Sequence, residues 1–130
     1  MNGLPAHTDA ITLFVTDRQK SKEFYRTVFA IEPIFEDQNS VAFRFDNLIV
    51  NLLETPAAHS LIAPAAVGAA ASGAHFQLTI DVPDIQAACS KLADVGVDLL
   101  NGPMDRPWGL RTASFMDPDG HIWEVAAAIR

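Results

Sequence analysis

Two stretches decide the fold: Ala10-Ile-Thr-Leu-Phe-Val-Thr-Asp17 and Gln77-Leu-Thr-Ile-Asp-Val-Pro-Asp84. In the first, Ile11, Leu13 and Val15 alternate with Thr12 and Phe14, the period of two that marks a half-buried strand. In the second, Leu78, Ile80 and Val82 alternate with Gln77, Thr79 and Asp81 in the same way. Each stretch ends on an aspartate suited to accept hydrogen bonds from the free N–H groups that open a helix. Asp17 and Asp84 lie 67 residues apart, and the same offset carries Ala10 onto Gln77, so the two strands superimpose in register.

The repeat extends outward from these anchors. After Asp17, Phe24 and Val28, and Tyr25 and Phe29, fall at i, i+4 spacing and give a helix an apolar stripe that ends before Pro33. Short strands are expected at Ile34–Glu36, Val41–Phe45 and Leu48–Leu53, separated by polar turns at 37–39 and 46–47. After Asp84, a second helix carries Ile85, Ala88, Leu92 and Val95, and Gly96 suits its end. Strands at Val97–Leu100, Arg111–Met116 and His121–Ala126 complete the second set. Asp117-Pro118-Asp119-Gly120 fits a type I turn between the last two. The closing strands align as Ile49-Val-Asn-Leu52 with Ile122-Trp-Glu-Val125. An internal duplication follows: module one over 10–54, an alanine-rich linker over 55–74 with room for one short helix, and module two over 75–127. The fold class is α+β, two β-α-β-β-β modules in a single 130-residue domain.

Composition narrows the function. Apolar residues make up 49% and charged residues 19%, a globular balance with a generous core. The formal charge of −7 repels phosphate backbones, so nucleic acid is not an expected partner; it favours cationic ligands weakly. No apolar run reaches the ~18 residues of a membrane span, so no membrane partner is expected. Met1 to Ala10 shows neither a basic start nor a long apolar run, so no secretory signal is expected there. A single cysteine, Cys89, offers no intramolecular bridge, and the reducing cytoplasm is the expected compartment. With no basic neighbour nearby in sequence, Cys89 reads as an inert thiol.

The stretch from Ile11 to Asp17 with Ser21, Phe24, Tyr25 and Phe29 resembles the opening strand and helix of vicinal-oxygen-chelate proteins. These are the glyoxalases, bleomycin-resistance proteins and extradiol dioxygenases. Trp108-Gly-Leu-Arg111 and Phe115-Met-Asp-Pro-Asp-Gly-His-Ile-Trp-Glu124 resemble their last hairpin. The resemblance runs from Ala10 to Ala127. It implies that the modules curl into an open, mixed-sheet cup with helices outside and a ligand pocket inside, often completed across a homodimer. Alternation then sends Ile11, Leu13, Val15, Leu78, Ile80 and Val82 to the helices. Ala10, Thr12, Phe14, Gln77, Thr79 and Asp81 face the cup, with Ile49, Asn51, Leu53, Ile122, Glu124 and Ala126 on the closing strands.

Metal-dependent members of that superfamily place a ligand on each of four strands, and the resemblance puts those positions at Ala10, Asn51, Gln77 and Glu124. Alanine offers no donor, the two amides only neutral carbonyls, and Glu124 alone a strong anionic ligand, so a tightly held divalent metal is disfavoured. If a metal binds, His75, Gln77 and Glu124 are the expected ligands, with His75 two residues ahead of Gln77. His7, His59 and His121 read as surface or strand-end histidines. Glu124 is the candidate catalytic residue, as a base or as the group that captures a cationic ligand; a salt bridge to Arg44 or Arg111 competes with both roles. Thr12, Phe14, Asn51, Gln77, Thr79, Trp108, Arg111 and Glu124 form the candidate ligand-binding set. The resemblance puts Trp108 at the pocket mouth, where it can stack on a planar ligand or plug the core edge. Trp123 should face the helices, and Phe14, Phe43 and Phe45 either line the cup or fill the core.

Two functional classes follow. One is a metal-free protein that sequesters a small aromatic or cationic molecule in a dimeric cleft. The other is a metal-dependent lyase, isomerase or dioxygenase with Glu124 as ligand or base. An accessory domain that binds a partner protein ranks below both.

Overall fold

A computed structural model describes residues 3–129. The architecture is α+β, and among the described residues eight strands form two four-stranded mixed sheets. The first sheet has the order β1-β4-β3-β2, from β1 (Ala10–Val15), β2 (Phe35–Glu36), β3 (Ser40–Arg44) and β4 (Ile49–Glu54). The second repeats that order as β5-β8-β7-β6, from β5 (Gln77–Asp81), β6 (Asn101–Asp105), β7 (Leu110–Met116) and β8 (Ile122–Ala128). In both sheets the first strand pairs parallel with the last and the remaining pairs are antiparallel. Register repeats as well: Thr12 lies opposite Asn51, and Thr79 opposite Glu124.

The chain divides into two compact units, one of residues 3–26 and 31–67, the other of 27–30 and 68–129. In the first unit, helix α1 (Arg18–Phe29) begins where Lys20 N donates to Asp17 Oδ1 at 3.1 Å, the expected cap. Tyr25 on α1 is fully buried and meets Phe43 at 6.2 Å between ring centroids, joining Leu13, Val15, Val41, Val50 and Leu52 in the core. Leu13 and Val15 are odd positions of β1, and Val50 and Leu52 even positions of β4, as the alternation requires. Helix α2 (Thr55–Ile62) follows β4 without a break, so the linker region opens as ordered structure packed on β1 and β4. Its second residue is Pro56, whose missing N–H costs nothing in a helix's first turn.

In the second unit, Asp84 Oδ1 accepts from Gln86 N at 2.9 Å and Ala87 N at 3.2 Å, capping α3 (Ile85–Asp94). Helix α3 packs on β6, β7 and β8 with Ile85 and Leu92 buried. Phe115, Ala113, Val125 and Trp123 are buried, and Trp123 meets Phe29 at 5.1 Å, the helix-side packing expected of it. The β7–β8 turn closes with Gly120 N donating to Asp117 O at 3.1 Å, as the Asp-Pro-Asp-Gly sequence predicts.

One strand lies elsewhere than predicted. The expected strand at Val97–Leu100 is not one: Gly96 N donates to Ala93 O and Val97 N to Leu92 O at the exit of α3, and only Leu100 N reaches β7, donating to Ser114 O at 2.7 Å. The sixth strand is Asn101–Asp105, at the sheet edge, where Pro103 is tolerated because no neighbour needs its N–H. Gly102 makes this edge possible. Its φ is +86°, and a Cβ there would lie 2.4 Å from Thr112 O and 2.9 Å from Ala113 Cα. The register shifts between Asn101 and Met104, so the strand bulges around this contact.

Candidate functional site

The chemistry-bearing side chains of the second unit gather on the face of its sheet opposite α3. Cross-strand partners share a face, and Thr79 pairs with Glu124, Glu124 with Ser114, and Ser114 with Asn101. A hydroxyl, a carboxylate, a second hydroxyl and an amide therefore run in one row across all four strands. Thr79 Oγ1 donates to Glu124 Oε1 at 3.0 Å. Gln77, Ile122 and Met116 form the row on one side, and Asp81, Ala126, Thr112 and Met104 the row on the other. Thr112 and Ser114 are buried, Glu124 and Ile122 half-buried, and Thr79, Gln77 and Asn101 exposed. Met104 and Met116 keep 40% and 46% of their surface open, so soft apolar side chains flank the polar row.

Arg106 completes this face. Its Nε donates to Thr112 Oγ1 at 2.9 Å and its Nη2 to Asn101 Oδ1 at 3.4 Å. Both partners are neutral. Trp108 sits at the tip of the same β6–β7 hairpin, in a turn held by Arg106 N donating to Leu110 O and Gly109 N to Arg106 O. It is 67% exposed, so it does not plug the core edge and its ring is available for stacking.

The structure separates Arg111 from this group. Arg111 pairs with Ala127, three residues from Glu124, and so lies on the opposite, α3-facing side. There it forms a two-pronged ion pair with Asp105, at 2.6 Å through Nε and 3.3 Å through Nη2. That pair pulls the Asp105 carboxyl below its ordinary range and raises the guanidinium's own pKa. Arg111 borders a shallow depression of about 260 Å³ at the start of α3, lined also by Asp84, Gln86 and Ala127. The expected competition of Arg111 or Arg44 for Glu124 gives way to the Thr79 hydroxyl: Glu124 is in no ion pair among the described residues.

In the first unit, Thr12, Phe14 and Asn51 are half-buried on one face of their sheet, with Thr12 opposite Asn51 and Phe14 opposite Leu53. This row repeats that of Thr79 and Glu124 with an amide in place of the carboxylate. Phe43 belongs to the core beside Tyr25. His75 lies in an exposed bend ahead of β5, outside the strand alternation that would have set it on the Gln77 face. His7 Nε2 meets Asp9 Oδ1 at 2.9 Å. His121 Nδ1 meets the buried Asp117 Oδ2 at 2.7 Å, within the β7–β8 turn. His59 is exposed on α2. Burial pushes the Cys89 thiol up, consistent with an unreactive sulfur.

A family model described as the Glyoxalase/Bleomycin resistance protein/Dioxygenase superfamily matches residues 7–125. The chain belongs to this superfamily. Similar solved structures include a glyoxalase/bleomycin resistance protein/dioxygenase from Nocardioides, with a TM-score of 0.87 and 22% identity over 99% of this chain and 88% of that one. A glyoxalase-related enzyme from Fulvimarina pelagi follows, with a TM-score of 0.81 and 23% identity over 94% and 88%. A lactoylglutathione lyase from Agrobacterium tumefaciens reaches 0.76 and 20% over 95% of each chain. At these identities the likeness is one of fold.

The superfamily's metal positions can be tested on this chain's donors. Ala10 contributes none, Asn51 and Gln77 only amides, and the Glu124 carboxylate accepts the Thr79 hydroxyl. Among the described residues, no three His, Cys, Asp or Glu side chains are grouped to hold an ion. In neither unit do these side chains supply the several hard donors that an octahedral cation wants.

Proposed function

We propose that this superfamily member binds a small organic molecule on the Glu124-bearing face of its second sheet, without a tightly held metal ion. One observation carries the proposal: the cross-strand row Thr79, Glu124, Ser114 and Asn101 offers directional donors and acceptors but only one carboxylate, and that carboxylate's local partner is a neutral hydroxyl. Such a row, flanked by Met104 and Met116 with Trp108 at the hairpin tip, orients an organic ligand better than it cages a cation. The superfamily resemblance supports a homodimer whose partner completes the cleft, and sequestration of an antibiotic-type compound is the function of this kind that fits. The formal charge of −7 speaks against nucleic acid as a partner. Among the described residues no helix is long and apolar enough to cross a membrane. The single cysteine supports a reducing, cytoplasmic location.

Thermal shift and equilibrium dialysis against planar cationic, neutral and anionic compounds test this. A ligand at a hundred times its Kd stabilises the fold by about 2.7 kcal/mol, which a melt resolves. Binding that weakens in Glu124→Gln and Thr79→Val is expected. Failure of every compound to bind sinks the proposal.

A further inference from the structure

We infer that Arg106 is an anion anchor and that the ligand of the Glu124 face is a small organic carboxylate bearing a hydroxyl or amino group. This rests on the proposed small-molecule function and names the chemistry it selects. A guanidinium has five N–H donors. Arg106 directs one to Thr112 Oγ1 and one to Asn101 Oδ1, which leaves three. Among the described residues no carboxylate lies within ion-pair distance of it, whereas Arg26 and Arg111 are both matched to acids. The charge is thus fixed in place by neutral groups and left uncompensated. Fixing a guanidinium in this way is what makes it selective for a planar, two-oxygen acceptor.

Position adds the second half of the ligand. Arg106 is bonded to Asn101, and Asn101 is two strands from Glu124 along one row, roughly 10 Å at the usual strand spacing. A ligand spanning that row meets a fixed cation at one end and a carboxylate acceptor at the other. The Glu124 charge opposes a dianion such as a phosphate monoester and favours a monoanion whose far end donates a hydrogen bond. The open surfaces of Met104 and Met116 accept an apolar body between the two ends. In the linear sequence Arg106 falls in an insertion ahead of Trp108, and nothing in that order of residues shows that its guanidinium is held by Thr112 and Asn101.

The test uses the full chain and calorimetric titration with gamma-aminobutyrate, epsilon-aminocaproate and para-(aminomethyl)benzoate, each beside its methyl ester, with para-(phosphonooxy)benzylamine as the dianion. A free acid should bind at least tenfold tighter than its ester. Arg106→Gln keeps a donor for the buried Thr112 and removes the charge; it should abolish that preference while a thermal melt shows the fold intact. Glu124→Gln should instead weaken the acid and the ester alike, because both carry the amine. Equal binding of acid and ester overturns the inference, as does an acid preference that survives Arg106→Gln. It is also overturned if no acid in the series binds while cationic or neutral compounds of the broader panel do, an outcome that leaves the small-molecule function standing. Tighter binding of the dianion overturns the monoanion selection.

Discussion

Replacing Gly102 with alanine should destabilise the protein by about 1–4.6 kcal/mol, and the reason separates into two parts. The φ of +86° is a left-handed backbone that costs an L residue about 1–2 kcal/mol. The added Cβ would also sit 2.4 Å from Thr112 O and 2.9 Å from Ala113 Cα, both backbone atoms of the neighbouring β7 that cannot rotate aside. Overpacking of this sort adds about 1–3 kcal/mol. The tighter unfolded chain returns about 0.4–1 kcal/mol of the total. Gly109 supplies the control, because its φ is +90° yet nothing lies within 4 Å of the point where a Cβ would stand. Gly109→Ala should therefore show the backbone part alone, about 0–1.6 kcal/mol after the same return, and less than Gly102→Ala. Denaturant titration of both variants reads the difference; a 130-residue chain loses roughly 4 °C in Tm per kcal/mol. Equal destabilisation by the two substitutions would refute the close strand approach at Gly102, and with it the bulged edge that carries Asn101.

Further outcomes follow from the packing and the charges. Phe115→Ala, at a fully buried ring, should cost about 3–5 kcal/mol by chemical denaturation, and a loss below 1 kcal/mol would place that ring outside the core. Asp84→Ala should cost about 1 kcal/mol while Asp84→Asn is nearly silent, because the amide oxygen can still accept from Gln86 N and Ala87 N. The Asp105 carboxyl is depressed by Arg111, so its contribution to stability is present above the ordinary carboxylate value of about 3.9 and is lost as pH falls through the lower folded value. The stability gap between wild type and Asp105→Asn, followed by urea melts across acid pH, should close in that window and not above pH ~5. Cys89 should react with a disulfide reagent more slowly than free cysteine near neutral pH, its thiol being raised by burial; faster reaction would contradict that environment.

Much of this architecture was legible because period-two alternation and aspartate caps are local signals. Ile11, Leu13 and Val15 could be set against the helix, and Thr12 and Phe14 away from it, before any register was known. The 67-residue offset then carried the same faces onto Gln77, Thr79 and Asp81. The sixth strand was not legible, because Val97–Leu100 looks more like a strand than Asn-Gly-Pro-Met-Asp does. Helix-end hydrogen bonding claims the start of the first segment, and an edge position excuses the proline of the second. That displacement hid Asn101 and the hydrogen bonds that hold Arg106. Arg111 is separated from Glu124 for a different reason: the alternation within β7 sets Arg111 with Ala113 and Phe115, and pairs Ser114 with Glu124. Whether an acid meets a base or a hydroxyl depends on contacts across strands, which the linear order of residues does not encode.

Whether Glu124 and the amides of Asn51 and Gln77 hold a metal bears most directly on what the protein does, and elemental analysis of chain purified without chelators measures it. Iron, manganese, nickel and zinc should each fall far below one atom per chain, and Glu124→Gln should leave that content unchanged. One tightly held atom per chain, lost on Glu124→Gln, would contradict a metal-free site for a small organic ligand.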